Sequence, residues 1–547
     1  MADDTLEPVR RMARSRFGYD DLGTGQEAAI GSLLAHRDTL CVLPTGAGKS
    51  AIYQLVGLHA RMLTLVISPL IALQRDQVAA LERIAPGAAA EINSTLTDTE
   101  RVEVLARLRG RESGFLFLAP EQLARPDMLA WLTEARPGLV VVDEAHCISE
   151  WGQDFRQDYL RLGAAIDALN HPPVLALTAT ASPPVRTEIV ERLHLDDPAI
   201  IVEGFDRPNI HLAVESFPDD GARTEQLLER IARASMPGIV YTTTRKGSEA
   251  LAEQIEARGL QAAAYHAGLK TDTREAVQEA FMDDRIAVIV ATTAFGMGID
   301  KPNVRFVYHH GVSDSPDAYY QEIGRAGRDG EPAEAILFST PDDFDLKRFQ
   351  AGVGQLEVDD VEPVLSSLVR HRRPLDATAL REDVDLTDTR LNRVLNRLED
   401  IDAVELRPDG TIELADRRAD PAATAEAAVD EQRQRQHFAQ SKLEMMRRYI
   451  DDEECRRAFL LHYFGEPFEG RCGNCDICDR GLPAPTPEER GAREEFPTGV
   501  RVRHTSLGDG AITHADADAI TVLFDRGGYR MLSRKIIAES DLLSRLP

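Results

Sequence analysis

The segment LPTGAGKS, from Leu43 to Ser50, contains the residue types that bind nucleotide phosphates. Its glycines let backbone N–H groups close around an anion, and Lys49 brings a positive charge to the terminal phosphates. Ser50 opens the next helix and can ligate the Mg²⁺ that accompanies ATP. The full eight-residue pattern favours this site over a plain glycine-rich turn. The predicted phosphate contacts also include Thr45, Gly46 and Gly48.

The acidic pair Asp143-Glu144 directly follows the apolar run from Leu139 to Val142. This run predicts a buried strand of a parallel sheet, and such sheets bind ligands beyond the carboxyl ends of their strands. We expect Asp143 to orient the metal and Glu144 to activate the attacking water as a general base. Together with the phosphate loop, the pair predicts a nucleoside triphosphatase.

The residues after the acidic pair are of the types that contact nucleic acid. Trp151, Phe155 and Arg156 follow within a polar, loop-like segment that ends near Tyr159. Aromatic rings beside a cation suit base stacking and phosphate contact. The stretch therefore predicts that nucleic-acid contact is sensed next to the nucleotide site.

These segments resemble the RecQ family of DNA helicases. The resemblance is dense over about the first 345 residues and returns around the cysteines. It implies ATP-driven translocation on single-stranded DNA, from 3′ to 5′, in DNA repair or recombination. The motifs that carry it are FGYDD with Gly25-Gln26, ISPLIALQRDQV, FLAPEQL, ALTATA, FDRPNI, AAYHAGL, ATTAFGMGIDKPNVR and YYQEIGRAGRDG.

The resemblance also implies roles for single residues. Tyr19 would stack on adenine, Gln26 would recognise its edge, and Asp300 would contact the nucleotide. Arg325 and Arg328 would reach ATP from a second lobe, and one or both would act as arginine fingers, which stabilise charge on the γ-phosphate. The segment with Thr178 and Thr180 would relay between the lobes.

Two positions depart from the family pattern. Gly23-Thr24 stands where the family usually has Arg-Pro, so a cation near the nucleotide is missing. Gln153 stands where the family usually has His. Glutamine donates and accepts hydrogen bonds but does not titrate near neutral pH. Coupling through hydrogen bonds survives this exchange, whereas coupling through a protonated ring does not.

Four of the six cysteines have the spacing of a metal site. Overlapping C-x₂-C pairs suit tetrahedral Zn²⁺, and four protein ligands leave no open position, so the site is structural. An iron–sulfur cluster is the alternative. We expect Cys41 and Cys147 to be packed thiols. The predicted ligands are Cys455, Cys472, Cys475 and Cys478.

Residues 355–416 show a winged-helix-like pattern, with helix, turn and helix followed by a hairpin around Asp409-Gly410. In the second helix, Arg390, Arg393 and Arg397 lie opposite an apolar stripe at helical spacing. This arginine face predicts duplex binding. Because acidic residues are interleaved, a solvated face with a scaffold role is an equal alternative.

The elements that must position these residues form an α/β protein with two RecA-like parallel-sheet lobes. A winged-helix-like domain, a helical zinc-binding module and a small SH3-like C-terminal β-barrel follow. The barrel could bind a protein or a nucleic acid, or cap the body, and we expect a monomer. The predicted ranges are 1–210 and 211–345 for the two lobes, 355–416 for the winged-helix-like domain, 420–482 for the zinc-binding module, 483–497 for a linker and 498–547 for the barrel.

Composition limits the class of protein. The 547 residues carry a net charge of −28, which disfavours DNA binding over the general surface. We therefore expect single-stranded and forked DNA to bind only within a dedicated channel, with strong salt sensitivity. No apolar run is long enough to span a membrane, and MADDTLEPVRR shows no signal peptide, which predicts a cytoplasmic chain. A DExH RNA helicase and a non-unwinding, ATP-switched DNA remodeller are the alternative functions.

Overall fold

The protein is described here by a computed structural model. The described residues are 2–44, 46–69, 71–93, 96–108, 114–149, 157–296, 299, 301–345, 347, 355–401, 403–407, 411–416, 418–468, 470–481, 491–492, 494–525, 527–540 and 542–546.

The first lobe is built on a seven-stranded, fully parallel sheet with the order β3-β4-β2-β5-β6-β1-β7. Its central strands are apolar and buried, which is why the sequence reads there as short continuous hydrophobic runs. The strands are β1 Thr39–Val42, β2 Leu63–Ile67, β3 Ala89–Ile92, β4 Gly114–Leu118, β5 Leu139–Val142, β6 Val174–Thr178 and β7 Ala199–Val202. The helices are α1 Ala2–Met12, α2 Thr24–Leu34, α3 Lys49–Ala60, α4 Ile71–Ile84, α5 Asp98–Leu108, α6 Pro126–Ala135, α7 Leu162–Ala168 and α8 Pro183–Arg192.

The second lobe repeats this architecture with a six-stranded parallel sheet of order β10-β11-β9-β12-β13-β8. Two RecA-like lobes were predicted, and both are confirmed. The strands are β8 Ile210–Ser216, β9 Gly238–Thr242, β10 Ala262–Tyr265, β11 Val288–Ala291, β12 Phe306–His310 and β13 Ala333–Ser339. The helices are α9 Asp220–Ile231, α10 Arg245–Ala257, α11 Thr271–Met282 and α12 Pro316–Ile323.

A small unit with its own apolar core follows the lobes. Its elements run helix, strand, helix, helix, strand, strand. The predicted helix, turn, helix and hairpin correspond to the last two helices and the last two strands, whereas the first helix and the short strand after it were not predicted. The predicted stripe of Leu391, Val394, Leu395 and Leu398 is buried in this core. The elements are α13 Val358–His371, β14 Leu375–Asp376, α14 Ala377–Asp383, α15 Asp388–Asp400, β15 Val404–Leu406 and β16 Thr411–Leu414, with antiparallel strands in the order β14-β16-β15.

A single 31-residue helix, α16 Pro421–Asp451, connects this unit to the cysteine-rich region. The sequence predicted only a helix or hinge over 422–436. Near its start, Ala425 and Ala428 pack in the core of the small unit. Near its end, Met446 and Tyr449 pack in a core shared with the lobes. The helices α17 Arg456–Tyr463 and α18 Asp476–Asp479 follow.

The C-terminal residues form a five-stranded antiparallel sheet with the order β20-β19-β18-β17-β21. A small β domain was predicted here from three alternating runs; β18 and β21 were not predicted. Ala492 and Phe496, from the predicted linker, pack on its core. No helix in the described part of the chain is long and apolar enough to cross a membrane. The elements are β17 Arg501–His504, β18 Gly508–Ala515, β19 Ala519–Phe524, β20 Gly528–Ser533, α19 Arg534–Ala538 and β21 Leu543–Arg545.

Candidate functional site

The phosphate loop joins β1 to α3. Gly46 has a φ of 86° and Gly48 a φ of 65°, conformations that glycine adopts without steric cost. Lys49 is the first residue of α3, and its Nζ donates hydrogen bonds to the carbonyl oxygens of Leu43 at 3.2 Å and Pro44 at 3.4 Å. The loop therefore holds the ammonium group beside the N-terminus of a helix, where an anion is favoured.

The acidic pair lies where β5 ends, beside the lysine. The strands β1 and β5 both pair with β6, which brings the loop and the pair to one edge of the sheet. Burial, and then the charge of Glu144, raise the pKa of Asp143 to about 7, while Lys49 opposes the rise. Desolvation lowers the pKa of Lys49, and the two carboxylates oppose that shift. A bound divalent cation would favour the charged form of Asp143.

A hydrogen-bonded network extends from the acidic pair into the second lobe. Nδ1 of the buried His146 lies 3.4 Å from Glu144 Oε2 and 3.0 Å from Thr178 Oγ1. Its Nε2 lies 3.5 Å from Nε2 of Gln321 on α12, which also donates to Thr180 Oγ1 at 2.8 Å. Because the amide of Gln321 donates, Nε2 of His146 accepts and its Nδ1 carries the proton. The carboxylate of Glu144, the predicted general base, is thus connected to both lobes.

The network contains two residues that we did not assign from the sequence. Thr178 and Thr180 were predicted to relay between the lobes, and the structure brings them together. His146 and Gln321 were not assigned, although they stand inside the motifs DEAHC and YYQEIGRAGRDG. A histidine next to a predicted general base is the signal that could have identified His146.

The two predicted arginine fingers have different surroundings. A Cβ atom added to Gly46 would lie 3.6 Å from Cγ of Arg328, so Arg328 packs against the phosphate loop. Arg325 is buried, and a Cβ added to Gly296 in its own lobe would lie 3.6 Å from its Nη2. The geometry thus places Arg328, rather than Arg325, against the phosphate loop.

The predicted adenine motif contacts the phosphate loop directly. Nε2 of Gln26 donates to the carbonyl oxygens of Ala47 and Gly48, both at 3.0 Å, and its Oε1 accepts from the amide of Gly23 at 2.8 Å. The ring of Tyr19 is 39% exposed and lies parallel to Phe17, with centroids 6.1 Å apart. An exposed ring at this position is suited to stacking on a base.

Several predicted site residues lie outside the described part of the chain. Their roles in nucleotide and nucleic-acid binding therefore stay predictions, as does the effect of the glutamine that replaces the expected histidine. They are Thr45, Asp300, Trp151, Gln153, Phe155 and Arg156.

The predicted arginine face of α15 is mostly paired with acids. Arg390 donates to Asp360 at 2.6 Å, and Nη1 of Arg397 lies 3.9 Å from Oε1 of Glu431 on α16. Arg393 is exposed. The sequence placed all three opposite the apolar stripe, but the long helix covers the side of α15 that carries Arg397. Duplex binding by this face stays a prediction. Arg393, which is exposed, is the best placed of the three arginines to contact DNA.

The four predicted zinc ligands converge. Their sulfur atoms all lie within 4.8 Å of one another, with 3.8 Å between Cys472 and Cys478 and 4.0 Å between Cys455 and Cys475. Zn–S bonds of about 2.3 Å at tetrahedral angles place sulfur atoms about 3.8 Å apart, so the cluster fits zinc. Cys41 and Cys147 are buried away from it, as predicted, and burial raises the pKa of Cys41 to about 12.

Three family models match successive parts of the chain. They are the DEAD/DEAH box helicase model over residues 24–188, the helicase conserved C-terminal domain over 222–330 and the RecQ zinc-binding model over 417–479. The first two cover the lobes, and the third covers α16 and the cysteine cluster. The zinc prediction is thereby supported over the iron–sulfur alternative.

Curated relatives cover most of the chain. The "Probable ATP-dependent DNA helicase RecS" of Bacillus subtilis is 36% identical over 482 residues, which are 88% of this chain and 93% of that protein. The "ATP-dependent DNA helicase RecQ" of Pasteurella multocida is 36% identical over 465 residues, 84% of this chain and 61% of that longer protein.

Solved structures support the fold. The Mycobacterium smegmatis helicase Lhr bound to ssDNA and AMP-PNP matches with a TM-score of 0.51 at 19% identity, over 85% of this chain and 63% of that one. MrfA, a DUF1998 helicase solved bound to DNA, matches with a TM-score of 0.52 at 17% identity, over 76% of this chain and 63% of that one. With the family models and the curated relatives, the phosphate loop, acidic pair and cysteine cluster show that this chain belongs to the RecQ family of ATP-dependent DNA helicases.

Proposed function

We propose that this helicase moves 3′ to 5′ along single-stranded DNA, with Mg²⁺-ATP as its energy source, and opens forked duplexes during repair or recombination. The direction rests on the family resemblance. We also propose that the chain works as a monomer, which light scattering of the purified protein would test.

The interlobe network around His146 is the observation that best supports ATP-driven motion. It connects the carboxylate that would activate water to a side chain on α12 of the second lobe. A change in the position of one lobe therefore changes the environment of Glu144. Coupling of hydrolysis to movement needs such a connection, because each ATP-dependent step must alter the contacts of both lobes.

The residues of the nucleotide site divide the chemistry among them. Lys49 and Ser50 would bind the phosphates, Asp143 would hold the metal, and Glu144 would take a proton from the attacking water. Arg328 would stabilise the charge that develops on the γ-phosphate. A bound Mg²⁺ would neutralise negative charge on the phosphates.

Strand separation on tailed duplexes tests the proposal. We expect ATP-dependent displacement from duplexes with a 3′ tail and from forks, and little from duplexes with only a 5′ tail. Lys49→Ala is the matched control, because it removes the phosphate-binding charge and should abolish displacement. Equal displacement from both tails, or preference for the 5′ tail, would contradict the proposed direction.

The choice of nucleic acid is tested by ATPase stimulation. We expect single-stranded DNA to raise the ATPase rate more than an RNA of the same sequence. Greater stimulation by RNA would favour an RNA helicase. Hydrolysis that is stimulated by DNA but displaces no strand would favour a remodeller that uses ATP to switch conformation.

A further inference from the structure

A second cluster of metal-ligating side chains lies where the zinc-binding module meets the C-terminal sheet. It consists of Glu454, next to the zinc ligand Cys455, His462 on α17 and His514 on β18. One ligand atom from each of the three side chains can lie within 4.8 Å of the other two. None of them belongs to the nucleotide site or to the cysteine cluster.

The distances fit a metal with nitrogen and oxygen ligands. Oε1 of Glu454 lies 3.3 Å from Nδ1 of His462 and 3.6 Å from Nδ1 of His514. Zn–N and Zn–O bonds of about 2.0–2.2 Å at tetrahedral angles separate two ligand atoms by about 3.3–3.6 Å. The two distances from Glu454 therefore match those between ligands of a tetrahedral site, and the two histidine nitrogens lie within 4.8 Å of each other.

Hydrogen bonding orients a lone pair of His462 toward this cluster. Nε2 of His462 lies 3.1 Å from the carbonyl oxygen of Phe468, and a carbonyl only accepts, so Nε2 carries the proton. In the neutral ring, Nδ1 then has a lone pair that faces the carboxylate of Glu454. This buried nitrogen makes no hydrogen bond to the described residues. A histidine held by a carbonyl at its far nitrogen is the usual arrangement of a metal ligand.

The surroundings leave room for an ion and little else. A cavity of about 10 Å³ adjoins the cluster, which is about the space of one water molecule. Arg448 also lines it, but its charge is matched by Asp452, which accepts from its Nε at 3.0 Å, and its Nη1 donates to Thr521 at 2.6 Å. The cavity is too small for a substrate, so a metal here would have a structural role.

We propose that Glu454, His462 and His514 bind a second divalent transition-metal ion, of which zinc is the probe. The ion ties the C-terminal sheet to the zinc-binding module. It acts next to an existing contact, in which the rings of Tyr463 and Tyr529 stack with centroids 4.8 Å apart. The sheet then depends on metal for its position, although it contains none of the cysteines.

Metal content of the untagged, full-length protein tests the proposal. After equilibration with Zn²⁺ and removal of free metal, we expect two zinc ions per chain in the wild type and one in His514→Gln. The matched control is His437→Gln, the same exchange at an exposed histidine of α16, which should keep two. One zinc in the wild type, or two in His514→Gln, would overturn the proposal.

Cobalt and proteolysis give independent readouts. With Co²⁺, the wild type should show the sulfur-to-cobalt bands of the cysteine cluster plus weaker bands without sulfur character, and only the weaker bands should be lost in His514→Gln. Zinc should slow proteolysis within residues 498–547 in the wild type and not in this variant. Unchanged cobalt spectra or equal proteolysis would show that a proton, and not a metal, occupies the cluster. Basal ATPase activity, which the nucleotide site controls, reports that each variant is folded.

Discussion

At the residue scale, position relative to the phosphate loop distinguishes side chains of the same type. Arg325 and Arg328 belong to one motif, yet Arg328 packs against Gly46 and Arg325 lies within its own lobe. A guanidinium that reaches the phosphates can stabilise the transition state of phosphoryl transfer. A guanidinium buried in its own lobe instead stabilises the shape of that lobe. Position likewise gives Gln321 on α12 its role, because its amide reaches Thr180 of the first lobe.

We predict that Arg328→Ala lowers the DNA-stimulated kcat for ATP by about 10³-fold or more, because an arginine finger contributes that much to phosphoryl transfer. ATP binding should weaken much less. Steady-state ATPase kinetics and binding of a fluorescent ATP analogue measure the two effects. Arg285→Ala, which removes an exposed arginine of the same lobe, is the control. A larger loss of kcat in Arg325→Ala would assign the finger to the other arginine.

We predict that Gln321→Ala reduces strand separation about 10-fold, since it removes two hydrogen bonds of about 0.5–1.5 kcal/mol each between the lobes. Basal ATPase activity without DNA should change little. Thr180→Val, which removes one of these two bonds, should have a smaller effect, and the double variant should be no worse than Gln321→Ala alone, because that variant already lacks the contact with Thr180. Additive losses in the double variant would show that the two side chains act separately.

At the element scale, the long helix α16 and the zinc-binding module are fastened to the second lobe by buried polar contacts. Asp317 on α12 lies 3.1 Å from Nζ of Lys442 on α16 and also accepts from the hydroxyl of Tyr463. Leu212 of β8 forms a bridge with Cys475, so the zinc cluster adjoins the edge strand of that lobe. These contacts place the metal module on the lobe whose movement ATP would control.

We predict that Asp317→Asn destabilises the protein by about 3–5 kcal/mol, because it leaves Lys442 as a buried charge without its carboxylate. The change should appear as a lower Tm in a thermal melt. Glu225→Gln, which breaks an exposed ion pair with Arg258, should leave the Tm nearly unchanged. A Tm for Asp317→Asn equal to that of the control would show that the buried pair contributes little net stability.

At the scale of the whole molecule, a net charge of −28 must coexist with binding to a polyanion. Many arginines are engaged by acids, as Arg390 is by Asp360 and Arg223 is by Asp343. Arg393 is exposed, and such cations would carry the electrostatic attraction to DNA. DNA affinity should then depend steeply on salt, since each neutralised phosphate releases counterions.

We predict that Arg393→Ala reduces the slope of log K against log salt for forked DNA by about 0.9, the value for one phosphate contact on duplex DNA. Arg390→Ala should change the slope less, because its guanidinium is already paired with Asp360. Fluorescence anisotropy between low and physiological salt measures both. An unchanged slope in Arg393→Ala would favour the scaffold role for the winged-helix-like unit.

The sequence alone determined the sites whose residues lie close together along the chain. Three sites are each contained in one short segment, so the spacing of their residues predicts their geometry. They are the phosphate loop, the acidic pair after β5 and the group of three zinc ligands from Cys472 to Cys478. The parallel lobes were also predictable, because buried strands appear as apolar runs between helical segments. The long helix was underestimated, since its two ends pack in different cores and share no single apolar stripe.

Tertiary structure alone decided which distant side chains meet. It joined His146 to Gln321, turned Arg397 toward Glu431, and set Arg328 against Gly46. It also brought His514 next to Glu454, in a cluster that no sequence motif predicts. The physical reason is that such contacts depend on how whole elements pack, while a sequence pattern records only the separations along one element.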